Sequence, residues 1–72
     1  MNKNDTYIKC TIEITKGMNL SDVIADIENT FENDVKYDYC GDDFYDFHIL
    51  DYQIDNLISY CKHQNYSLHI EK

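Results

Sequence analysis

Residues 37–46, YDYCGDDFYD, set Asp38, Asp42, Asp43 and Asp46 among Tyr37, Tyr39, Phe44 and Tyr45, with no basic residue in the span. Carboxylates at this density can coordinate a hard cation, share a proton as a catalytic pair, or display fixed negative charge to a cationic partner. The first use does not fit the spacing. Gly41 precedes the Asp42-Asp43 pair, whereas a calcium loop of the D-x-D-x-D-G type needs its glycine after the third ligand. The second use needs a pocket that splits two carboxyl pKa values, and a hairpin exposed to water offers none. Cys61, His63 and His69 lack the second close cysteine pair of a zinc site, so the histidines read as surface residues. No Gly-rich phosphate loop, G-x-S-x-G elbow or Cys/His pairing of recognisable spacing occurs. The residues therefore predict no enzyme, no metal and no cofactor. What remains is charge shown to a partner.

Hydrophobic periodicity names the elements that position this charge. In TYIKCTIEIT, residues 6–15, Ile8, Cys10, Ile12 and Ile14 alternate with Tyr7, Lys9, Thr11 and Glu13, the pattern of a half-buried strand. After Gly17 the apolar residues Leu20, Val23, Ile24, Ile27 and Phe31 recur at helical spacing, with Asn19 as N-cap and Asp22 three residues on, which predicts a helix over about 20–32. Val35, Tyr37 and Tyr39, then Tyr45, Phe47 and Ile49, return to a period of two about a turn near Gly41. Asp51 is expected to cap a second helix carrying Ile54, Leu57, Ile58 and Cys61, and Tyr66, Leu68 and Ile70 alternate as a last strand. On this alternation Tyr37, Tyr39, Tyr45, Phe47 and Tyr66 point to the core. Phe44, Tyr52 and Tyr60 fall off it and are candidates for a contact surface, with a partner or in a homodimer.

The order β-α-β-β-α-β resembles the split-βαβ, ferredoxin-like arrangement: an α+β fold with a four-stranded antiparallel sheet, strand order 4-1-3-2, and both helices on one face. Residues 1–72 are expected to form one compact domain. Ferredoxin-like folds that bind RNA show stacking aromatics and basic residues on the open sheet face. Here that face would show Tyr7, Lys9, Glu13, Asp38, Asp46, His48 and His69.

Composition narrows the partner. The chain has 72 residues, a formal net charge of -8, no Arg and six Lys, which leaves no basic footprint for nucleic acid or an acidic membrane. Residues 17–60 hold eleven acids, Asp22, Asp26, Glu28, Glu32, Asp34, Asp38, Asp42, Asp43, Asp46, Asp51 and Asp55, against Lys36 alone. With the first helix laid over the hairpin, these acids are expected to share one flank. Glu28, Glu32 and Asp34 stand at the C-terminal end of that helix, where the macrodipole disfavours anions. Same-face carboxylates recur about every 6.6 Å on a strand and about every 6 Å at i, i+4 on a helix. Successive backbone phosphates are comparably spaced, so such a flank offers a DNA-binding protein the anion pattern its cations expect. Three widely spaced cysteines read as free thiols, and no apolar run approaches the roughly 18 residues of a membrane span, so a soluble cytoplasmic protein is expected.

Short length, absence of Arg, a concentrated acidic flank and this element order together resemble the small acidic proteins that phages make to take over a host, in particular the DNA-mimic inhibitors of the bacterial histone-like nucleoid protein HU. The resemblance spans the whole chain and rests on size, charge and element order, so it carries over no residue by position. It implies a non-enzymatic inhibitor, acting in the bacterial cytoplasm at the nucleoid, that occupies the DNA-binding surface of a basic host protein of the HU type. That target grips DNA with little sequence preference, the condition under which a charge decoy works. A homodimer is expected. Two alternatives stand beside this reading: an anti-CRISPR or anti-restriction inhibitor, and a ferredoxin-like regulatory or assembly module whose acidity is incidental.

Overall fold

Strict alternation in the first segment makes a strand, β1 (Tyr7–Glu13), whose Cys10 and Ile12 are buried while Tyr7, Lys9, Thr11 and Glu13 turn to the opposite face. The computed structural model describes residues 6–71. Gly17, at φ +92°, supplies the left-handed turn that returns the chain towards the sheet. Helix α1 (Leu20–Phe31) begins at Asn19, whose side-chain oxygen accepts the Asp22 N–H at 3.1 Å, and buries Val23, Ile27 and Phe31. A short 3-10 turn (Glu32–Asp34) leads into β2 (Val35–Cys40). The hairpin to β3 (Phe44–Leu50) closes with Gly41 N–H donating to the Phe44 carbonyl at 3.0 Å. A Cβ at 41 would stand 2.2 Å from the Phe44 ring, so any larger residue there has to displace that ring. The Ile14 N–H donates to the Asp43 carbonyl at 2.8 Å, fastening the hairpin tip to the end of β1.

A second 3-10 turn (Asp51–Gln53), helix α2 (Ile54–Gln64) and β4 (Ser67–Ile70) complete the chain. The sheet runs β2-β3-β1-β4 with every neighbour antiparallel. With β-α-β-β-α-β order, this is an α+β ferredoxin-like fold. Cys10, Ile12, Val35, Tyr45, Phe47 and Ile49 of one sheet face meet Val23, Ile27 and Phe31 of α1 and Leu57 and Cys61 of α2. Helix α1 covers β2 and β3, and α2 covers β4. Asn65, at φ +63°, caps α2 in the left-handed conformation, and the next N–H, of Tyr66, reaches back to the Cys61 carbonyl at 2.8 Å. No described helix is long and apolar enough to cross a membrane.

Three expectations are corrected. Asp51 does not cap α2, because the intervening 3-10 turn moves the helix start to Ile54, and Gln53, at the cap position, makes no side-chain cap bond. Tyr37 and Tyr39 are not core residues; they are 53% and 61% exposed. β2 is the sheet's outer strand, and a register shift between Tyr37 and Tyr39 places Tyr39 opposite Asp46, on the face away from the helices. Tyr60 is no free contact residue, since its ring meets Phe31 edge-on at 5.9 Å and packs against the core.

Tyr45 is fully buried between Tyr37 and Phe47, at ring distances of 6.2 and 4.8 Å, and among the described residues its hydroxyl has no hydrogen-bond partner. Burial pushes the Tyr45 phenol well above its usual range, so it stays protonated and unpaired. Tyr45→Phe is therefore expected to stabilise the fold by about 1 kcal/mol. Urea denaturation checks this, and a lower midpoint for the variant would count against it.

Candidate partner-binding surface

The eleven carboxylates of residues 17–60 divide into three groups by what surrounds them. Asp38 and Asp46 lie on the sheet face away from the helices. One Asp46 oxygen accepts the Thr11 hydroxyl at 2.6 Å and the other stands 3.9 Å from Lys9 Nζ, while Asp38 faces His48 Nδ1 at 3.9 Å. On the same face Glu13 meets His69 Nε2 at 3.0 Å, and Lys36 Nζ sits 4.5 Å above the Tyr7 ring. Cross-strand register makes these pairs, with Thr11 opposite Asp46 and His69, and Lys36 opposite His48. The acids of this face each have a cationic or imidazole neighbour.

Asp26 and Asp34 are used inside the fold. Asp26 Oδ1 accepts the Tyr60 hydroxyl and, at 3.4 Å, that of Thr30, and its Oδ2 accepts the Tyr66 hydroxyl at 2.5 Å and Gln64 Nε2 at 3.1 Å. One carboxylate thereby ties α1 to α2 and to the approach of β4. Burial by itself pushes Asp26 upwards, but the donors Tyr60, Tyr66, Gln64 and Thr30 outweigh it and hold the carboxyl below its ordinary range. Asp34 accepts Gln53 Nε2 at 2.6 Å and the Tyr52 hydroxyl at 3.2 Å, joining the two 3-10 turns.

Asp22, Glu28, Glu32, Asp42, Asp43, Asp51 and Asp55 form the third group. All seven are exposed, and none makes an ion pair or a side-chain hydrogen bond among the described residues. The chain path puts Asp22, Asp42 and Asp43 at the end of the sheet where the hairpin turns. Glu32, Asp51 and Asp55 lie at the other end, brought together by the Asp34 bonds to Tyr52 and Gln53. A seven-residue strand separates the ends by about 20 Å. Glu28 lies on α1, the helix that covers β2 and β3, and after burial its charge adds to the upward push on the Tyr45 phenol. The expected single flank is thus a rim that runs from hairpin tip, along α1, to the start of α2, with Asp38 and Asp46 behind it on the far face.

Glu32 stands out within this rim. It ends α1 at φ +48° and ψ -118°, a region disfavoured for any residue with a Cβ, and it does so at the negative end of the helix dipole.

Cys10 and Cys61 are buried, their thiols pushed by that burial up to about 11 and about 12, so neither is a thiolate nucleophile at neutral pH. No three His, Cys, Asp or Glu side chains converge to hold a metal ion among the described residues. No protein-family model, curated protein or solved structure matches the chain.

Two measurements follow. Asp26→Asn is expected to destabilise the fold by about 2 kcal/mol, since it removes a charged acceptor from four donors. Because folded Asp26 holds its proton less tightly than the unfolded chain does, its contribution is complete above the ordinary value of 3.8 and is lost as acid protonates the folded carboxyl. Stability measured against pH should therefore fall more steeply below pH 4 in the parent than in Asp26→Asn; equal slopes would refute the assignment. Glu32→Gly should stabilise by about 1 kcal/mol by relieving the backbone, and a loss of stability would show that the conformation carries no strain.

Proposed function

We propose that the protein is an acidic DNA mimic that binds a basic host DNA-binding protein of the HU type and blocks its access to DNA. The observation that supports this reading is the division of charge. On the far sheet face each acid has a lysine or an imidazole beside it, while the seven exposed carboxylates along the rim make no ion pair among the described residues. Unpaired charges in such a small domain lower its stability through self-repulsion, and the last turn of α1 holds no basic residue that would relieve it. A partner's Lys and Arg side chains would supply the missing counterions.

Binding then works as it does on DNA, with the sequence-independent phosphate attraction replaced by carboxylate attraction. The mimic has no base edges and needs none against a protein that holds DNA by backbone and shape. Exposed Tyr52, next to Asp51 at one end of the rim, adds apolar area to a contact that charge steers.

The test uses purified HU as the probe. Affinity should drop at least about tenfold between low and moderate salt. Replacing Glu28, Glu32, Asp42 and Asp43 together by their amides should weaken binding by about tenfold or more with the fold intact by circular dichroism. The same replacement at the already paired Asp38 and Asp46 should weaken it far less. Salt-independent binding, or undiminished affinity in the fourfold variant, would remove the mimic reading.

A further inference from the structure

The two edges of the sheet are finished differently. β2 carries a register shift between Tyr37 and Tyr39 and the charges of Lys36 and Asp38, the devices that stop another strand from adding. β4, Ser67–Ile70, has neither: its register with β1 is regular and it holds no carboxylate, Lys or Arg. Glu71 N–H donates to the Lys9 carbonyl at 2.9 Å, and the register of β1 and β4 sets these two residues directly opposite. Antiparallel alternation then turns the backbone groups of residues 67, 69 and 71 inwards to β1, and those of Leu68 and Ile70 outwards to the free edge. Beside that edge, Ile58, Cys61, Lys62, Tyr66, Leu68 and Ile70 line a groove of about 350 Å³, with Ile58 44% exposed.

We propose that this edge is the docking site of a second copy of the chain, with the two β4 strands pairing antiparallel about a two-fold axis into one eight-stranded sheet. The helices α2 of the two copies then lie side by side in opposite directions. Charge selects this occupant. Asp55, Ile58 and Lys62 fall at i, i+3 and i+7, one face of α2, on the side of the groove that Ile58 and Lys62 line. A two-fold near Ile58 sets Lys62 of one copy towards the partner subunit's Asp55, twice over, with the two Ile58 side chains between them. An interface built on a two-fold must be self-complementary, and a strand whose residues 67–70 hold no acid, Lys or Arg, with one acid and one base on the helix beside it, meets that requirement. The acidic rim along α1 and the hairpin lies on the far side of each copy, so this approach brings the least repulsion from a chain of net charge -8.

The dimer does not depend on which basic protein the rim binds. It takes Asp55 out of the bare set and displays the other six carboxylates twice, on outward flanks.

Sedimentation equilibrium at concentrations up to about 100 μM reads the outcome without any partner present. The parent chain is expected at twice the monomer mass. Lys62→Glu, which sets acid against acid across the axis, should weaken dimerisation by about tenfold or more, and adding Asp55→Lys to it should restore the dimer. Both positions are exposed in the monomer, so rescue by the second change separates the contact from any effect on folding. A monomeric parent at the highest concentration, a dimer indifferent to Lys62→Glu, or a double variant no tighter than the single one would each overturn the proposal.

Discussion

The apolar layer between the sheet and the two helices is one side chain deep, and the placement of every charge answers to it. Ile12, Ile27, Tyr45, Phe47, Ile49 and Leu57 are completely buried, and among the described residues no polar or charged side chain except tyrosine and cysteine shares that layer. A domain of this size buries only about 60% of the surface its unfolded chain exposes, so the layer leaves little surplus to offset a desolvated charge. Asp26 marks the boundary of what is tolerated. It enters the seam between α1 and α2 only because Tyr60, Tyr66, Gln64 and Thr30 all donate to it. The remaining acids stay outside, and where they stand was decided by the elements that left room for them.

Much of this organisation is legible in the chain. Alternation in residues 6–15, the Asn19 cap and the Gly41 turn are local signals, and each sits in the structure where its period or its backbone chemistry puts it. The failures are non-local. Tyr37 and Tyr39 obey the period of two, yet nothing in their own segment says that β2 is an outer strand or that its register slips after Tyr37. Asp26 looked like any other acid on a polar helix face because three of its donors come from 34 to 40 residues away. Asp51 had the right residue type for a cap, but a 3-10 turn took up the chain before the helix began. The acidic surface divides the same way: how much acid there is can be counted, whereas which acids are paired depends on cross-strand neighbours.

Those neighbours sort the charge into two kinds. On the far sheet face, register alone puts Thr11 and Lys9 beside Asp46, His48 beside Asp38, and His69 beside Glu13. On the helix side and at the hairpin tip no such pairing is possible, since an isolated helix face has no strand opposite it and α1 contains no lysine at all. The asymmetry therefore follows from topology together with the absence of bases between Gly17 and Val35. A marginal domain that merely needed solubility could have alternated signs along α1, with a few tenths of a kcal/mol gained at each pair.

Glu32 carries this reasoning to a single residue. The helix C-terminus favours glycine or asparagine for its left-handed turn and a cation for its dipole, and α2 follows the rule with Asn65 at the turn and Lys62 and His63 in its last turn. The same protein thus terminates one helix by the stable convention and the other against it, with an acid at positive φ next to Glu28 and Asp34. Strain, dipole and like-charge repulsion all act in one direction at that position, and each would be relieved by one substitution. On the proposed reading, a conformation disfavoured on three counts persists in a fold with little stability to spare because the carboxylate is part of what the partner grips.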